Sequence, residues 1–198
     1  MPVERLWRWV AWVGVDTPGV EQVAIWESPR GWRAESLWTG VVDSHPARVA
    51  FTVELTKEWQ VRRLVASTHV PSGGSSLSLE RTAAGTWEDG NGPRQDLRGC
   101  EFVDIAWTPF TNTLPIRRLE QLKATSQEIT VVYVSFPDLA LRAARQRYTR
   151  LPGGRWRYES LESGYRAELT VNADGLVLEY PGLFRQVALW PSGDSAPP

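Results

Sequence analysis

The chain has 198 residues, enough for one domain with a real core, and its 22 basic and 23 acidic side chains leave a net charge of −1. That balance gives no electrostatic reason to expect nucleic acid as a partner, and the single cysteine, Cys100, excludes an intrachain disulfide and a cysteine-built metal site. With only His45 and His69 besides, no metal and no cofactor are expected, and no run approaches the ~20 apolar residues of a membrane span.

In chain order, the first hundred residues read as a β-meander. Leu6–Val13, Val20–Trp26 and Trp32–Gly40 are predicted strands, separated by turn signals at Asp16–Gly19 and Ser28–Gly31. The apolar run Val10–Val15 is too short for the hydrophobic region of a signal peptide, so a cytoplasmic location is expected. Val49–Leu55 alternates cleanly, with Val49, Phe51, Val53 and Leu55 on one face, which is the pattern of a half-buried antiparallel strand. Val61–Thr68 pairs with it across a turn at Lys57–Trp59. Pro71–Ser76 reads as a Gly/Ser loop, Leu77–Arg81 and Thr86–Glu88 as a hairpin, and Asp89–Pro93 as the least structured interior stretch.

The stretch from Asp104 to Leu119, DIAWTPFTNTLPIRRL, stands apart. It mixes polar and aromatic residues and carries both Pro109 and Pro115, so a bent, irregular and rigid path is expected rather than a strand or helix. If the chain doubles back between the prolines, Asp104 can meet Arg117 or Arg118 in a bidentate pair. If the two arginines lie in a strand, one faces a ligand and the other the fold. Thr111, Asn112 and Thr113 are turn formers that can also hydrogen-bond a sugar.

Beyond it, Gln127–Phe136 reads as a strand. Pro137–Arg147 fits a helix by composition and a strand by the spacing of Leu139, Leu141 and Ala143. Arg155–Ser160, Tyr165–Val171 and Leu176–Tyr180 follow as strands, the last two joined by a turn at Asn172–Gly175. Alternation places Gln146 and Tyr148 on one face and Arg147 on the other. Residues 191–198 are expected to be a disordered tail behind a single domain over 1–190.

The blocks GCEFVDIAW, TPFTNTLPIRRL, QRYT at Gln146–Thr149 and DGLVLEYPGLF at Asp174–Phe184 resemble a bacterial family named for glycolipid binding. The similarity runs from about Trp12 to Phe184. It implies a fold like the periplasmic lipoprotein carriers: an all-β domain, a long antiparallel sheet rolled on itself as a spiral β-roll or half-barrel, with minor helix. It also favours a strand over Pro137–Arg147.

No nucleophile, metal-ligand, phosphate-loop or dinucleotide motif is legible. The expected function is therefore non-catalytic binding of an amphipathic small molecule, such as a glycolipid or other acyl-bearing compound, in a concave aromatic-lined roll. The eleven tryptophans are mostly core, with some against the acyl chain. The candidate ligand-binding residues are Asp104, Thr111, Asn112, Thr113, Arg117, Arg118, Gln146, Tyr148, Trp59 and Trp107, the arginines facing an anionic or sugar head group. The alternative is a small enzyme acting on a sugar, lipid or nucleotide derivative through Asp104 with Arg117 or Arg118.

Overall fold

The computed structural model describes residues 4–191, and the alternating segments of the sequence join into one continuous sheet. The first half is the expected meander: β1 (Arg5–Gly14), β2 (Gly19–Ser28), β3 (Gly31–Val42), β4 (His45–Leu55), β5 (Val61–Val70), β6 (Gly73–Arg81), β7 (Trp87–Asp89) and β8 (Gly92–Pro93). The centre holds β9 (Phe102–Ile105), a helical turn at Phe110–Asn112 and α1 (Thr113–Gln121). The second half runs β10 (Ser126–Val134), β11 (Leu141–Leu151), β12 (Arg155–Ser160), β13 (Arg166–Val171), β14 (Val177–Tyr180) and β15 (Phe184–Pro191).

Across the sheet the order is β8 back to β1, then β15 back to β9, so the two halves meet where β1 pairs with β15. Neighbours are antiparallel except β9 and β10. Those two run parallel because the chain between them crosses over through α1, which a parallel connection requires. The end strands β8 and β9 share no ladder, so the roll stays open.

Alternation decides which face is inside. Along β4, Ala47, Val49, Phe51, Val53 and Leu55 are buried while the intervening residues are not. The right-handed twist of a long sheet curls that apolar face into a trough. Two long-range bonds span the trough: the Thr68 hydroxyl donates to the Pro137 carbonyl at 2.6 Å, and the Trp12 indole N–H to the Val177 carbonyl at 2.7 Å. The helical segment fills the trough. Phe110, Leu114 and Ile116 are fully buried, and the Phe110 ring stacks on Phe51 at 6.3 Å. Each such side chain contributes roughly 1.5–3 kcal/mol by leaving water.

Three local expectations are corrected. The central stretch is helical, because its prolines stand where a missing N–H does no harm: Pro109 precedes the helical turn and Pro115 lies in the first turn of α1, whose N–H groups have no partner inside the helix. Gly73–Ser76 belongs to β6 rather than a loop, since pairing from Val70↔Gly73 through Ser67↔Ser76 overrides weak strand propensity. Within Asp89–Pro93, Gly92 and Pro93 return as the short β8. Strand β15 was not anticipated. It is paired on both sides, yet most of its side chains are exposed, so no buried face marks it in the sequence. Of the expected tail, Pro191 ends β15 and residues 192–198 lie outside the described residues.

Candidate functional site

The site grows from the C-terminal end of β9. Parallel pairing sets Asp104 beside Tyr133 of β10. The chain then turns over itself, held by Ile105 N–H to the Thr111 hydroxyl at 3.3 Å and Phe110 N–H to the Thr108 hydroxyl at 3.0 Å. The alternation of β11 delivers Gln146 and Tyr148 from the opposite wall. Gln146 Nε2 donates to Asp104 Oδ2 at 2.5 Å and to the Tyr158 hydroxyl at 3.2 Å, and Tyr148 donates its phenolic hydrogen to Asn112 Oδ1 at 2.8 Å. The Thr111 hydroxyl reaches Asp104 Oδ1 only at 3.4 Å.

These groups surround a cavity of about 350 Å³. Asp104, Trp107, Thr108 and Asn112 line it together with Tyr133, Tyr158, Tyr165, Tyr180 and Phe184. Trp38 also lines it, in a slot left by Gly19 and Gly40. The two glycines pair across β2 and β3, and a Cβ on either would come within 2.5 Å of the Trp38 ring. Tyr165 and Leu183, 43% and 41% exposed, mark the mouth.

Burial pushes the Asp104 carboxyl above its ordinary range, against the pull of the Gln146 and Thr111 hydrogen bonds. Burial, and secondarily the neighbouring Asp104, also raises the phenols of Tyr133, Tyr148 and Tyr158, so they stay protonated. A second carboxyl lies deeper. Glu21, 1% exposed, sits between its cross-strand neighbours Trp12 and Trp38. Ser36 donates to its Oε1 at 2.6 Å, while Oε2 has no partner within hydrogen-bond geometry. Burial pushes its pKa up to about 7, outweighing the Ser36 and Thr108 hydroxyls.

On the far side of Trp107 a larger groove, of about 720 Å³, opens at the end of the roll. Val42, Val70, Phe136 and Pro137 give it apolar walls; Asp43, His45 and Ser72 also line it. Trp107 packs against Trp38 at 5.5 Å and Phe136 at 5.1 Å, so it stands between the two spaces and lines both. Its φ of 77° is a conformation that a bulky residue adopts only when its surroundings impose it.

Of the ten candidate residues, the structure brings six together. Asp104, Trp107 and Asn112 line the cavity, and Thr111, Gln146 and Tyr148 hold them from behind. Thr113 is fully buried at the start of α1, with a hydroxyl that has no partner. Arg117 does not meet Asp104. It donates to the Asp174 carbonyl at 2.7 Å and lies over the rings of Trp7 and Trp59, at 5.2 and 4.4 Å. Arg118 borders a separate small depression with Glu101 and Leu122. The expected ion pair fails because the segment is a helix, which carries the arginines two turns or more away from Asp104.

Sequence reasoning missed Tyr133, Tyr158, Tyr165, Tyr180 and Glu21. A signal was present: all five tyrosines of the chain lie between residues 133 and 180, and four line the cavity with Tyr148 behind. Cys100 is buried, with its thiol pushed up to about 11 chiefly by that burial, so it is no ready nucleophile. Among the described residues no three His, Cys, Asp or Glu side chains gather to hold a metal, and no helix is long and apolar enough to cross a membrane.

No curated protein matches the chain. Among solved structures it is similar to a DUF1089 family protein from Pseudomonas aeruginosa, with 34% identity and a TM-score of 0.76 over 85% of this chain and 92% of that one. It is also similar to a beta-barrel-like protein of domain of unknown function DUF1849 from Brucella abortus, at 12% identity and a TM-score of 0.58 over 98% of both chains, a likeness of fold alone. The model of the family described as "Putative glycolipid-binding" matches residues 9–186, and the chain belongs to that family.

Proposed function

We propose that the protein binds an amphipathic molecule, a glycolipid or another acyl-bearing compound, and releases it unchanged. The observation that carries this reading is the meeting of two spaces at Trp107, each lined by a mixture of apolar and polar groups: a tyrosine-walled cavity with Asp104 and Asn112, and a groove with Val42, Val70, Phe136 and Pro137 beside Asp43, His45 and Ser72. The head group enters the cavity, where Asp104, Asn112 and the phenols offer hydrogen bonds. The acyl chain follows the groove past Phe136 and Val70. Each buried methylene contributes about 0.8 kcal/mol, so affinity comes mainly from the chain and orientation from the head.

One observation favours a second reading. Asp104 is a carboxyl raised by burial and facing a cavity, which is the setting of a general acid. Against it, Arg117 and Arg118 point elsewhere, so the electrostatic stabiliser that the enzyme reading needs is missing from this cavity.

The test is a series of single-chain amphiphiles sharing one head group, titrated by intrinsic tryptophan fluorescence, with the recovered ligand weighed by mass spectrometry. Binding that tightens with each added methylene, with ligand recovered intact, is the expected result. Flat affinity across the series sinks the groove, and altered ligand mass installs the enzyme in its place.

A further inference from the structure

If the cavity takes the head group, its chemistry narrows what that head can be. Among the described residues Asp104 is the one charged side chain on its wall; no described lysine, arginine or histidine lines it, and the remaining polar groups are neutral hydroxyls, an amide and indoles. An ionised carboxylate has room for about four hydrogen bonds. Asp104 receives a short one from Gln146 and a long one from Thr111, and among the described residues it forms no salt bridge. A buried carboxylate left in that condition is costly until a cation arrives.

The walls suit the same visitor. Tyr158 stands 6.3 Å from Tyr165 and 6.3 Å from Tyr180, the rings tilted by 57° and 59°, and Phe184 continues the array 6.5 Å beyond Tyr180. Ring faces carry negative potential and attract cations, more so when water is excluded. Tyr133 already does this for its cross-strand neighbour Arg142, whose exposed guanidinium sits 4.4 Å from the ring centre and lends Asp104 only the smallest of the influences on it, without a salt bridge. An anionic head group would meet the Asp104 carboxyl and no cation on this wall. A neutral sugar could bond Asp104 but would leave its charge uncompensated.

We infer that the cavity selects a head group carrying an organic ammonium, held between the Asp104 carboxylate and the faces of the surrounding tyrosines. This rests on the amphiphile-binding reading and goes beyond it. The ammonium can be primary, as on an amino sugar or aminolipid, or quaternary. The shared requirement is a positive charge on a compact apolar or hydroxylated frame.

The experiment uses the full chain and probes with one common dodecyl tail, each below its micellar concentration. The heads are trimethylammonium, its uncharged near-isostere dimethylphosphine oxide, primary ammonium, maltoside and sulfate. The expected result is that at least one ammonium head binds about 10-fold or more tightly than the isostere, with sulfate weakest, as charge assistance and ring contacts together suggest. Which ammonium wins tells the primary source from the quaternary. Asp104→Asn should erase the difference between the trimethylammonium probe and its isostere. Tyr165→Leu, at the exposed mouth, should reduce that difference without disturbing the fold. Equal affinity for the charged head and its isostere, or a preference for maltoside, would overturn the ammonium inference and leave amphiphile binding intact. If no probe binds, both fall.

Discussion

Two charged side chains of one short segment, Asp104 and Arg117, are taken out of water in opposite ways. Arg117 is held by the protein itself: its guanidinium lies over two indoles and bonds a backbone carbonyl, against the cost of burial and of an Nε without a hydrogen-bond partner. Asp104 is left at a cavity wall with hydrogen bonds and, among the described residues, no salt bridge, the Arg142 charge acting on it only slightly. The difference follows from ring electrostatics. Aromatic faces satisfy a cation and cannot satisfy an anion, so a tryptophan-rich and tyrosine-rich roll closes around its arginine and stays open around its aspartate. On the binding reading proposed above, one end of the segment serves stability and the other a ligand.

The largest effect that would break this comparison is at the sealed end. Arg117→Ala should cost about 4 kcal/mol in urea unfolding, from the orphaned Asp174 carbonyl, the lost ring contacts and the cavity left by the stem. Amphiphile binding by the fraction that remains folded should be unchanged. A loss below about 1 kcal/mol would mean that the guanidinium is effectively solvated, and the contrast with Asp104 would disappear.

Much of the fold was legible because period-two burial is local information. Val49–Leu55 declares its inner face residue by residue and lies within β4, while Ile129–Val134 lies within β10 but buries the adjacent Val131 and Val132 alike. What failed was non-local. Strand β15 earns its place through backbone ladders to β1 and β14 rather than through buried side chains, which leaves no pattern to detect. Pro115 looked like a helix breaker because its harm depends on which turn it occupies, a fact the sequence shows only once the helix start is known. At the site, the polar residues around Asp104 were found through their density and resemblance, and Gln146 and Tyr148 through alternation. The tyrosines were overlooked because eleven tryptophans drew the aromatic argument, yet only Trp38 and Trp107 line the cavity.

Glu21 sharpens the comparison as a second buried carboxyl, one that meets no cavity. Trp12 and Trp38 flank it on β1 and β3, with Ser36 and Thr108 as its hydroxyl neighbours. Its folded pKa of about 7 exceeds the ordinary glutamate value of 4.5, so the folded state holds the proton more tightly than the unfolded chain. Stability contributed by that proton is fully present below pH 4.5 and is lost as pH rises through about 7. The loss should amount to about 3 kcal/mol. Glu21→Gln should flatten this part of the pH–stability curve, measured by urea midpoints between pH 5 and about 8. An unchanged curve would mean that some group outside this cluster compensates the charge.

The smallest effect on stability belongs to the open end. Had Asp104 paired with an arginine, removing its charge would strand a buried cation and destabilise strongly. With Gln146 and Thr111 as its partners, Asp104→Asn loses one charge-assisted hydrogen bond and escapes the burial penalty that raises the carboxyl, two changes of opposite sign. The expected shift in unfolding free energy is therefore within about 1 kcal/mol at pH 8, while preference for an ammonium head is lost. The pH dependence has a definite sign as well. Because the folded carboxyl is raised, wild-type preference for the ammonium probe should weaken as pH falls through that raised range, and Asp104→Asn should show no such slope. The other groups facing Asp104 do not change charge there: Tyr133, Tyr148, Tyr158 and Tyr180 are held above the usual phenol range, and Arg142 stays a cation. A variant that unfolds readily yet keeps its ammonium preference would reverse the assignment, making Asp104 the structural charge of the pair.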